Sequence, residues 1–260
     1  MINLKKPLKK IKNILGLGFV LAKTEFKLRN EGSYLGIFWY LLNPILTFGL
    51  LLLVFGDRLG NNIREYPLYL LMGVIMFNFF QSSTIESTRT IIKDNVGVIK
   101  SINFPRESLI LSIVIKNFFS HFFEMVLFAI LLAYFHISLV GILYYFFILF
   151  FFCLFIFGVS LTLSSSTVYL VDIENIWSFA VRLLWLGTPI FYAIAGQTKL
   201  LYLNLFNPMY YFLTAARDIV IYAKEPDFFI VSGMIFFTAL SFVFGVFIFN
   251  ILKTRFAERM

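Results

Sequence analysis

Long apolar runs alternate with short polar breaks along most of the chain, and six of these runs approach or exceed the 20 residues or so that a helix needs to cross a bilayer. The chain is therefore expected to be an all-α integral membrane protein, with six transmembrane helices in a single transmembrane domain. These predicted spans, numbered 1 to 6, cover residues 35–55, 66–83, 109–135, 139–170, 176–195 and 228–252.

Residues 8–30, ahead of span 1, have the two-sided pattern of an interfacial helix. Apolar residues such as Ile11, Leu15 and Phe19 recur at helical spacing, and lysines occupy the opposite side. We expect this segment to lie in the membrane interface. A solvated helix that only anchors the end of the chain is the alternative interpretation.

The polar break between spans 2 and 3, residues 87–107, has a similar pattern. Wound as a helix, it places the apolar side chains between Ile91 and Ile102 on one arc, and its basic side chains along one edge of the other side. Pro105 cannot continue a helix and predicts its end. An amphipathic basic helix is typical of a membrane surface or of a contact with a soluble partner.

The connection between spans 5 and 6, residues 197–226, is too apolar for a free loop and is interrupted at Asn207–Pro208. Two short helices that enter the outer leaflet and return would account for both features. Irregular backbone at that depth is tolerated where protein or a water-filled cavity surrounds it. We therefore predict a re-entrant helical hairpin that caps the outer end of a pathway.

Composition supports the membrane assignment, because 60% of the 260 residues are hydrophobic and 35 are Phe. The net charge of +8 then reports the orientation of the loops rather than nucleic-acid binding. Basic residues concentrate before span 1, between spans 2 and 3 and in the C-terminal tail, whereas Arg217 and Lys199 are among the few expected outside. This bias predicts a multi-pass protein of the cytoplasmic (inner) membrane with both termini in the cytoplasm. The acidic segment 171–175 does not follow the bias.

Motifs of common catalytic sites are absent from the sequence. It contains no GxxxxGK[ST] nucleotide-binding motif, no HExxH, no GxSxG and no Cys/His metal cluster. Cys153 is the single cysteine, so no intrachain disulfide can form. The chain is therefore expected not to be an enzyme and to bind neither a cofactor nor a metal itself.

Four ionisable residues fall inside predicted spans: Lys116, His121, Glu124 and Arg182. A charge at the bilayer centre is costly unless it is paired. His121 and Glu124 are three residues apart and share a helix face. They could form the relay of a proton-driven carrier, or an ion pair that holds the helices together, and both interpretations stay open here.

Aromatic residues cluster in spans 1, 2 and 5. Tyr and Trp present a flat apolar face with a polar tip, and sugar rings offer C–H faces and hydroxyl edges. An aromatic wall would let a glycan slide without a single strong binding site. The candidate lining residues are Trp39, Tyr40, Phe77, Phe80, Trp185, Phe191 and Tyr192.

Five segments carry a family resemblance: residues 33–48 (SYLGIFWYLLNPILTF), 73–83 (GVIMFNFFQSS), 94–107 (DNVGVIKSINFPRE), 168–192 (VYLVDIENIW…GTPIFY) and 207–218 (NPMYYFLTAARD). In this order they resemble the membrane subunits of the ABC exporters that move O-antigen, capsular polysaccharide and teichoic acid. The acidic loop departs from the family, since it reads VDIEN where an Arg–Asp pair is common.

The resemblance implies a homodimer that works with two copies of a separate ABC ATPase, which would bind ATP and Mg. It implies that the N-terminal helix and the 87–107 helix contact that ATPase. It further implies a channel at the dimer axis lined by spans 1, 2 and 5, with the outer hairpin as exit gate. The implied cargo is a glycan or polyol-phosphate polymer on an undecaprenyl diphosphate carrier.

Candidate site residues follow from the resemblance. The ATPase-coupling candidates are Arg89, Lys93, Val96, Ile99, Lys100, Phe104, Pro105 and Arg106. The exit-gate candidates are Pro189, Asn207, Pro208, Tyr210 and Tyr211. Arg29 is the candidate for the carrier pyrophosphate, because guanidinium groups bind phosphate bidentately, although it could equally be a positive-inside anchor.

Four function classes remain in view. The first is the permease subunit of an ATP-driven exporter of lipid-linked polysaccharide, and the missing nucleotide motif agrees with a borrowed motor. The second is a permease of the same fold that exports a lipid or drug. The third is an ion-coupled carrier, which only the His121–Glu124 pair supports. The fourth is a membrane anchor without transport.

Overall fold

A computed structural model of the chain describes residues 5–31, 34, 36, 38–60, 63–94, 104–194 and 196–256. The described residues form helices and contain no strand. The helices are α1 (Lys5–Asn30), α2 (Phe38–Leu59), α3 (Tyr66–Arg89), α4 (Glu107–Tyr134), α5 (Val140–Thr167), α6 (Ile173–Gly187), α7 (Thr198–Leu205), α8 (Pro208–Val220) and α9 (Phe228–Leu252). A π-helical turn, Thr90–Asp94, continues α3, and a 3₁₀ turn, Lys253–Arg255, continues α9.

Five of these helices are long and apolar enough to cross a membrane, and the prediction of an all-helical, multi-pass membrane protein is confirmed at that level. They lie at predicted spans 1, 2, 3, 4 and 6. Their candidate spanning segments are Leu41–Leu59, Tyr66–Lys93, Glu107–Tyr134, Val140–Thr167 and Phe228–Leu252.

Span 5 differs from its prediction. Helix α6 has 15 residues and ends at Gly187, not at residue 195. Thr188 is extended, with φ −83° and ψ 138°, because Pro189 follows and a proline disfavours the helical conformation of the residue before it. The apolar composition of residues 176–195 does not show that residues 188–194 are non-helical.

Helix α3 lies at the centre of the bundle. Between Leu68 and Phe80 every side chain except Asn78 is buried, and α2, α4, α5, α6 and α8 pack around the helix. A helix that is apolar on all sides is stable only where neighbours cover every side. By contrast, α2 and α9 expose large apolar side chains, among them Leu53 and Phe247, as a lipid-facing surface or an unfilled interface would.

The α5–α9 contact depends on two glycines. A Cβ placed on Gly245 would meet the carbonyl of Gly158, and one on Gly158 would meet the backbone of Ser241. Small residues allow two membrane helices to approach to backbone contact, and van der Waals packing then holds the pair together.

Helix α1 packs along α4. Phe26 contacts the rings of Phe119 and Phe123, with centroids 5.7 and 6.4 Å apart, and Ala22 is fully buried. The opposite side of α1 exposes lysines such as Lys23 and Lys27, while Leu15, on the same side as Ala22, stays 54% exposed. The two-sided character expected of residues 8–30 is therefore present, and the membrane depth of this helix stays a prediction.

The segment after span 2 also differs from its prediction. Span 2 was expected to end at residue 83, with a separate helix over 87–107, yet α3 and its π turn run without a break to Asp94. Ile91 is fully buried among side chains that include Leu109 and Phe249. Phe104 and Pro105 are not helical. The candidates Val96, Ile99 and Lys100 lie outside the described residues.

Candidate functional site

The non-helical segment that follows α6, residues 188–194, is here called the gate segment. Arg217 of α8, which is only 3% exposed, donates hydrogen bonds to the carbonyl oxygens of Pro189 (2.7 Å) and Ile190 (3.0 Å). It also donates to the carbonyl of Tyr69 in α3 (2.9 Å). Carbonyls released from a helix need new donors, and at membrane depth protein must supply them. One guanidinium therefore links α3, α8 and the gate segment.

Two tyrosines of α3 hold the same segment. The Tyr69 hydroxyl donates to the carbonyl of Tyr192 (2.8 Å), and the Tyr66 hydroxyl donates to the carbonyl of Phe191 (2.9 Å). The Arg217 guanidinium carbon lies 3.4 Å from the centroid of the Tyr69 ring, a cation–π contact. The gate segment thus has a fixed conformation although it has no regular hydrogen bonding of its own.

Close approach at this point requires glycine at position 73. A Cβ added to Gly73 would lie 2.6 Å from Arg217 Nη2 and 3.1 Å from the Ile190 carbonyl oxygen. Any larger residue in α3 would therefore displace the guanidinium or the gate segment.

Asn207 connects the α7–α8 break to the gate segment. Its Nδ2 donates to Thr188 Oγ1 (2.8 Å), while its Oδ1 accepts the backbone N–H of Met209 (3.1 Å) and so caps α8. Pro208 occupies the first turn of α8, where its missing N–H costs nothing. The structure thus brings Pro189, Asn207 and Pro208 into one assembly. Tyr211 packs elsewhere, with its hydroxyl donating to the carbonyl of Leu205 (2.9 Å), and Tyr210 is half-buried.

The sequence did not predict a site role for four residues: Arg217, Tyr66, Tyr69 and Gly73. Arg217 was counted among the outside charges, and the structure corrects this because the side chain is buried in the bundle. A usable signal existed: Arg217 is four residues after Leu213, and helical spacing puts both on the buried face of α8. The partners of the guanidinium, 27 to 148 positions away along the chain, left no comparable signal.

A second feature is a cavity of about 420 Å³ among α1, α2, α3 and α4, here called the polar cavity. Its lining residues are Arg29, Gly36, Trp39, Asn43, Pro44, Leu46, Asn78, Phe79, Ser82, Asn117, Ser120, His121 and Glu124. The structure therefore brings together three candidates that the sequence treated separately: the Arg29 cation, the Trp39 aromatic residue and the His121–Glu124 pair.

His121 and Glu124 are buried at one side of this cavity. His121 Nδ1 lies 3.3 Å from Glu124 Oε2, and His121 Nε2 lies 2.8 Å from the hydroxyl of Tyr145 in α5. The ring of Phe79 stacks on the imidazole, with centroids 5.0 Å apart. The pair therefore contacts both α3 and α5 from its place on α4. This arrangement agrees with the interpretation of His121 and Glu124 as a contact that holds the helices together.

A charged network joins α1, α3 and α4 beside the cavity. Lys116, 5% exposed, pairs with Glu25 (3.1 Å) and with Glu86. Asn117 Nδ2 donates to Glu86 (3.0 Å), and Arg29 Nη1 donates to Asn117 Oδ1 (3.4 Å). The intramembrane lysine noted in the sequence is therefore neutralised by two carboxylates, and Arg29 extends from an exposed position on α1 to the edge of the cavity.

At the end of α3, the basic side chains of Arg89 and Lys93 contact the acidic segment 171–175. Glu174 accepts from Lys93 Nζ (2.6 Å) and from Arg89 Nε (2.8 Å). The hydrogen bond from Lys93 and the nearby Arg89 charge hold the pKa of Glu174 below its usual value. The VDIEN loop, which departs from the expected Arg–Asp pair, thus contributes its glutamate to this contact.

The remaining coupling candidates pack against the C-terminal end of α9. Arg106 Nη1 donates to the carbonyl of Lys253 (2.6 Å), and its guanidinium lies 5.5 Å from the ring centroid of Phe256. Phe104, Pro105 and Arg106 are all partly buried there. These contacts stabilise the subunit itself, whatever else these residues bind.

The aromatic candidates fall into two groups. Phe77 and Phe80, 0% and 2% exposed, lie inside the subunit core, and their place in a channel lining stays a prediction. Trp185, Phe191 and Tyr192 lie at the gate segment, partly exposed, with the Trp185 and Phe191 rings 5.4 Å apart. Trp39 is 51% exposed on α2. The side chain of Tyr40 is outside the described part of the structure.

Comparison with known proteins places these features in context. A sequence profile described as ABC-2 type transporter matches residues 17–221. The chain is similar to an O-antigen export system permease protein RfbA of Klebsiella pneumoniae, with 28% identity over 243 residues, 92% of this chain and 93% of the relative. It is also similar to the protein of that name in Myxococcus xanthus, with 26% identity over 222 residues, 82% of this chain and 83% of the relative.

Proposed function

Because the chain belongs to the ABC-2 type transporter family, we propose that it is the permease subunit of an ATP-driven exporter of O-antigen, a lipid-linked polysaccharide. The observation that carries this proposal is the similarity to O-antigen export permeases over nearly the full length of both chains. The arrangement of the gate segment, with aromatic side chains around a fixed non-helical backbone, supports a pathway for a glycan.

The motor would be a separate ABC ATPase, bound as two copies to a homodimer of this chain. Support comes from the sequence, which has no nucleotide-binding motif of its own. ATP and Mg would accordingly bind to the partner. The coupling surface would include the exposed edge formed by Arg89 and Lys93, together with the N-terminal helix α1.

Six spans per subunit remain our proposed topology. Helix α6 together with the gate segment would form the fifth span, and α7 with α8 would form the re-entrant hairpin between spans 5 and 6. The hydrogen bonds from Arg217, Tyr66 and Tyr69 support this, because they satisfy the carbonyls that a non-helical segment would expose to lipid. The protein would then lie in the inner membrane, with both termini in the cytoplasm.

Arg29 would meet the pyrophosphate of the lipid carrier. Its guanidinium lies at the edge of the polar cavity, on an exposed face of the helix proposed for the inner interface. A guanidinium fork matches two phosphate oxygens, which a lysine ammonium does not. The alternative, an anchor to anionic lipid, would leave export unchanged in an Arg29→Lys variant.

Deletion of the gene tests the proposed function. The strain without this chain is expected to lose surface O-antigen and to accumulate lipid-linked polymer on the cytoplasmic side, and a plasmid copy should restore export. The same phenotype is expected from deleting an adjacent gene for an ATPase with a nucleotide-binding motif. Export that persists without the ATPase would favour an ion-coupled carrier. Normal surface polysaccharide in both deletions would refute the proposal.

A further inference from the structure

The lining of the polar cavity is chemically unlike a lipid-facing surface. Five neutral polar side chains converge on it: Asn43, Asn78, Ser82, Asn117 and Ser120. Each amide carries both donors and an acceptor, and each hydroxyl can act as either. Polar residues at membrane depth normally turn to the bundle interior or to a pathway, because lipid cannot satisfy them. The lining is therefore suited to a ligand that has donors and acceptors of its own.

Ser120 points to a ligand most directly. It is 9% exposed, and its hydroxyl has no hydrogen-bond partner in the described chain. Ser112 and Ser165, which are also buried, donate to carbonyls of their own helix, at Leu109 (2.8 Å) and Leu161 (2.8 Å). Ser83 and Ser160 resemble Ser120 in having no partner in the described chain, but neither lines the cavity. A buried hydroxyl without a partner destabilises the fold unless something in the cavity bonds to it.

The carboxyl group of Glu124 favours a ligand with hydroxyl donors. Glu124 lines the cavity, with Oε2 engaged by His121, and its oxygens can accept further hydrogen bonds from hydroxyl groups. A neutral polyol supplies such donors, whereas a fully ionised phosphate does not. The Arg29 guanidinium lies beside Asn117, about two helical turns along α4 from Glu124.

An acyl chain is also a poor occupant of this cavity, since it would leave the amides and hydroxyls unsatisfied. The structure contains a different cavity for such a chain. A groove of about 620 Å³ among α1, α4, α5 and α9 is lined almost entirely by apolar residues, among them Leu15, Phe118, Leu154 and Phe242. Because the groove is apolar and the polar cavity is not, the polar cavity is the better site for a hydroxyl-rich ligand.

Trp39 supplies the remaining element of sugar recognition. Its half-exposed indole borders the cavity from α2, across from the polar residues of α3 and α4. A flat aromatic face packs on the C–H face of a pyranose ring while hydroxyls at the ring edge reach polar groups. The volume of about 420 Å³ lies within the range of small-molecule pockets.

We propose that the polar cavity is a saccharide-binding subsite that holds one sugar ring, with Trp39 on a ring face and Asn78, Asn117, Ser120 and Glu124 at its hydroxyls. This inference rests on the proposed function, because the sugar would be a unit of the exported glycan. It adds a site within one subunit, between α2, α3 and α4, to the pathway at the gate segment.

Tryptophan fluorescence tests the subsite. The full chain, purified in detergent without other proteins, would carry Trp177→Phe and Trp185→Phe, so that Trp39 is the only tryptophan in the sample. Methyl glycosides of glucose, galactose, mannose and N-acetylglucosamine would be titrated separately. At least one should change the Trp39 signal saturably, and Ser120→Val or Asn78→Leu should weaken that binding by about three- to tenfold.

Ser83→Val is the matched control. Ser83 is also a buried serine whose hydroxyl has no partner in the described chain, but it does not line the cavity, so its replacement should leave glycoside binding unchanged. Co-purification with the ATPase would confirm that each variant is folded. If no glycoside gives a saturable change, or if Ser120→Val binds as the parent does, the subsite is refuted. The deletion phenotype would stand independently of that result.

Discussion

Arg217 shows how one buried side chain can hold a non-helical segment in place. Its guanidinium donates to carbonyls of the gate segment and of α3 in a buried setting, where each lost hydrogen bond leaves an unsatisfied carbonyl. An unsatisfied buried carbonyl costs about 1–3 kcal/mol. The conformation of the gate segment therefore depends on Arg217 as well as on Pro189 in its own sequence.

Replacing Arg217 should detach the gate segment. We expect Arg217→Leu to destabilise the purified subunit by on the order of 3 kcal/mol and to lower export strongly. Arg217→Lys should not rescue it, since a single ammonium cannot reach carbonyls in three directions. Thermal unfolding in detergent and surface polysaccharide would be measured. The control is Arg58→Leu at the exposed end of α2. Equal unfolding temperatures for the two leucine variants would contradict this role.

Gly73 should tolerate no side chain for the same reason. Gly73→Ala places a Cβ 2.6 Å from Arg217 Nη2, and overpacking of this kind costs about 1–3 kcal/mol. Gly49→Ala in α2 is the matched control, because nothing lies within 4 Å of its added Cβ and alanine favours a helix. We expect the first variant to unfold at a lower temperature and the second to unfold no lower than the parent. The reverse order would contradict the packing argument.

At the scale of elements, hydrophobic periodicity was sufficient to locate five long helices but not their ends. Span 2 ends in the sequence where polarity rises, yet α3 continues, since a helix that leaves the membrane need not stop there. Helix α6 ends early because Pro189 acts on the residue before it. Which side chains meet across α3, α8 and the gate segment, or across α2, α3 and α4, depends on tertiary packing. The environments of Arg217 and Ser120 could therefore not be predicted from the sequence.

The contact between α3 and the acidic loop has a definite pH dependence. The pKa of Glu174 is lower in the folded chain than in the unfolded one, so its stabilising contribution is complete above the unfolded pKa of about 4.5. This contribution is lost as the pH falls through the pKa of Glu174 in the folded chain, which is lower than the unfolded pKa. Near pH 7 the Glu174 carboxyl group is therefore ionised and can pair with Lys93 and Arg89.

Charge reversal separates two roles of this basic edge. We expect Lys93→Glu with Lys100→Glu to uncouple export while the subunit still inserts and dimerises. Adding Glu174→Lys would restore the internal ion pair at position 93. Export regained in that triple variant would show that the internal contact matters most, whereas export still lost would favour direct binding to the ATPase. The coupling hypothesis fails if the double variant retains both ATPase association and export.

At the scale of the whole molecule, membership of the ABC-2 type transporter family implies a partner ATP-binding subunit, and the exposed apolar faces of α2 and α9 leave large surfaces to be covered. Helix α2 exposes much of its apolar surface, as expected of an element that meets lipid or a second copy. A residue proposed to bind cargo, Asn78, and a residue proposed to contact the ATPase, Arg89, would then lie on the same helix, α3.

Transport in a reconstituted system tests the central claim most directly. Proteoliposomes would contain this chain, its ATPase and lipid-linked O-antigen, and a membrane-impermeant lectin would report polymer that reaches the face opposite the ATPase. We predict a signal that requires ATP, the ATPase and this chain together, and that is absent with a proton gradient alone. A lectin signal of equal size without ATP, or without this chain, would contradict the account.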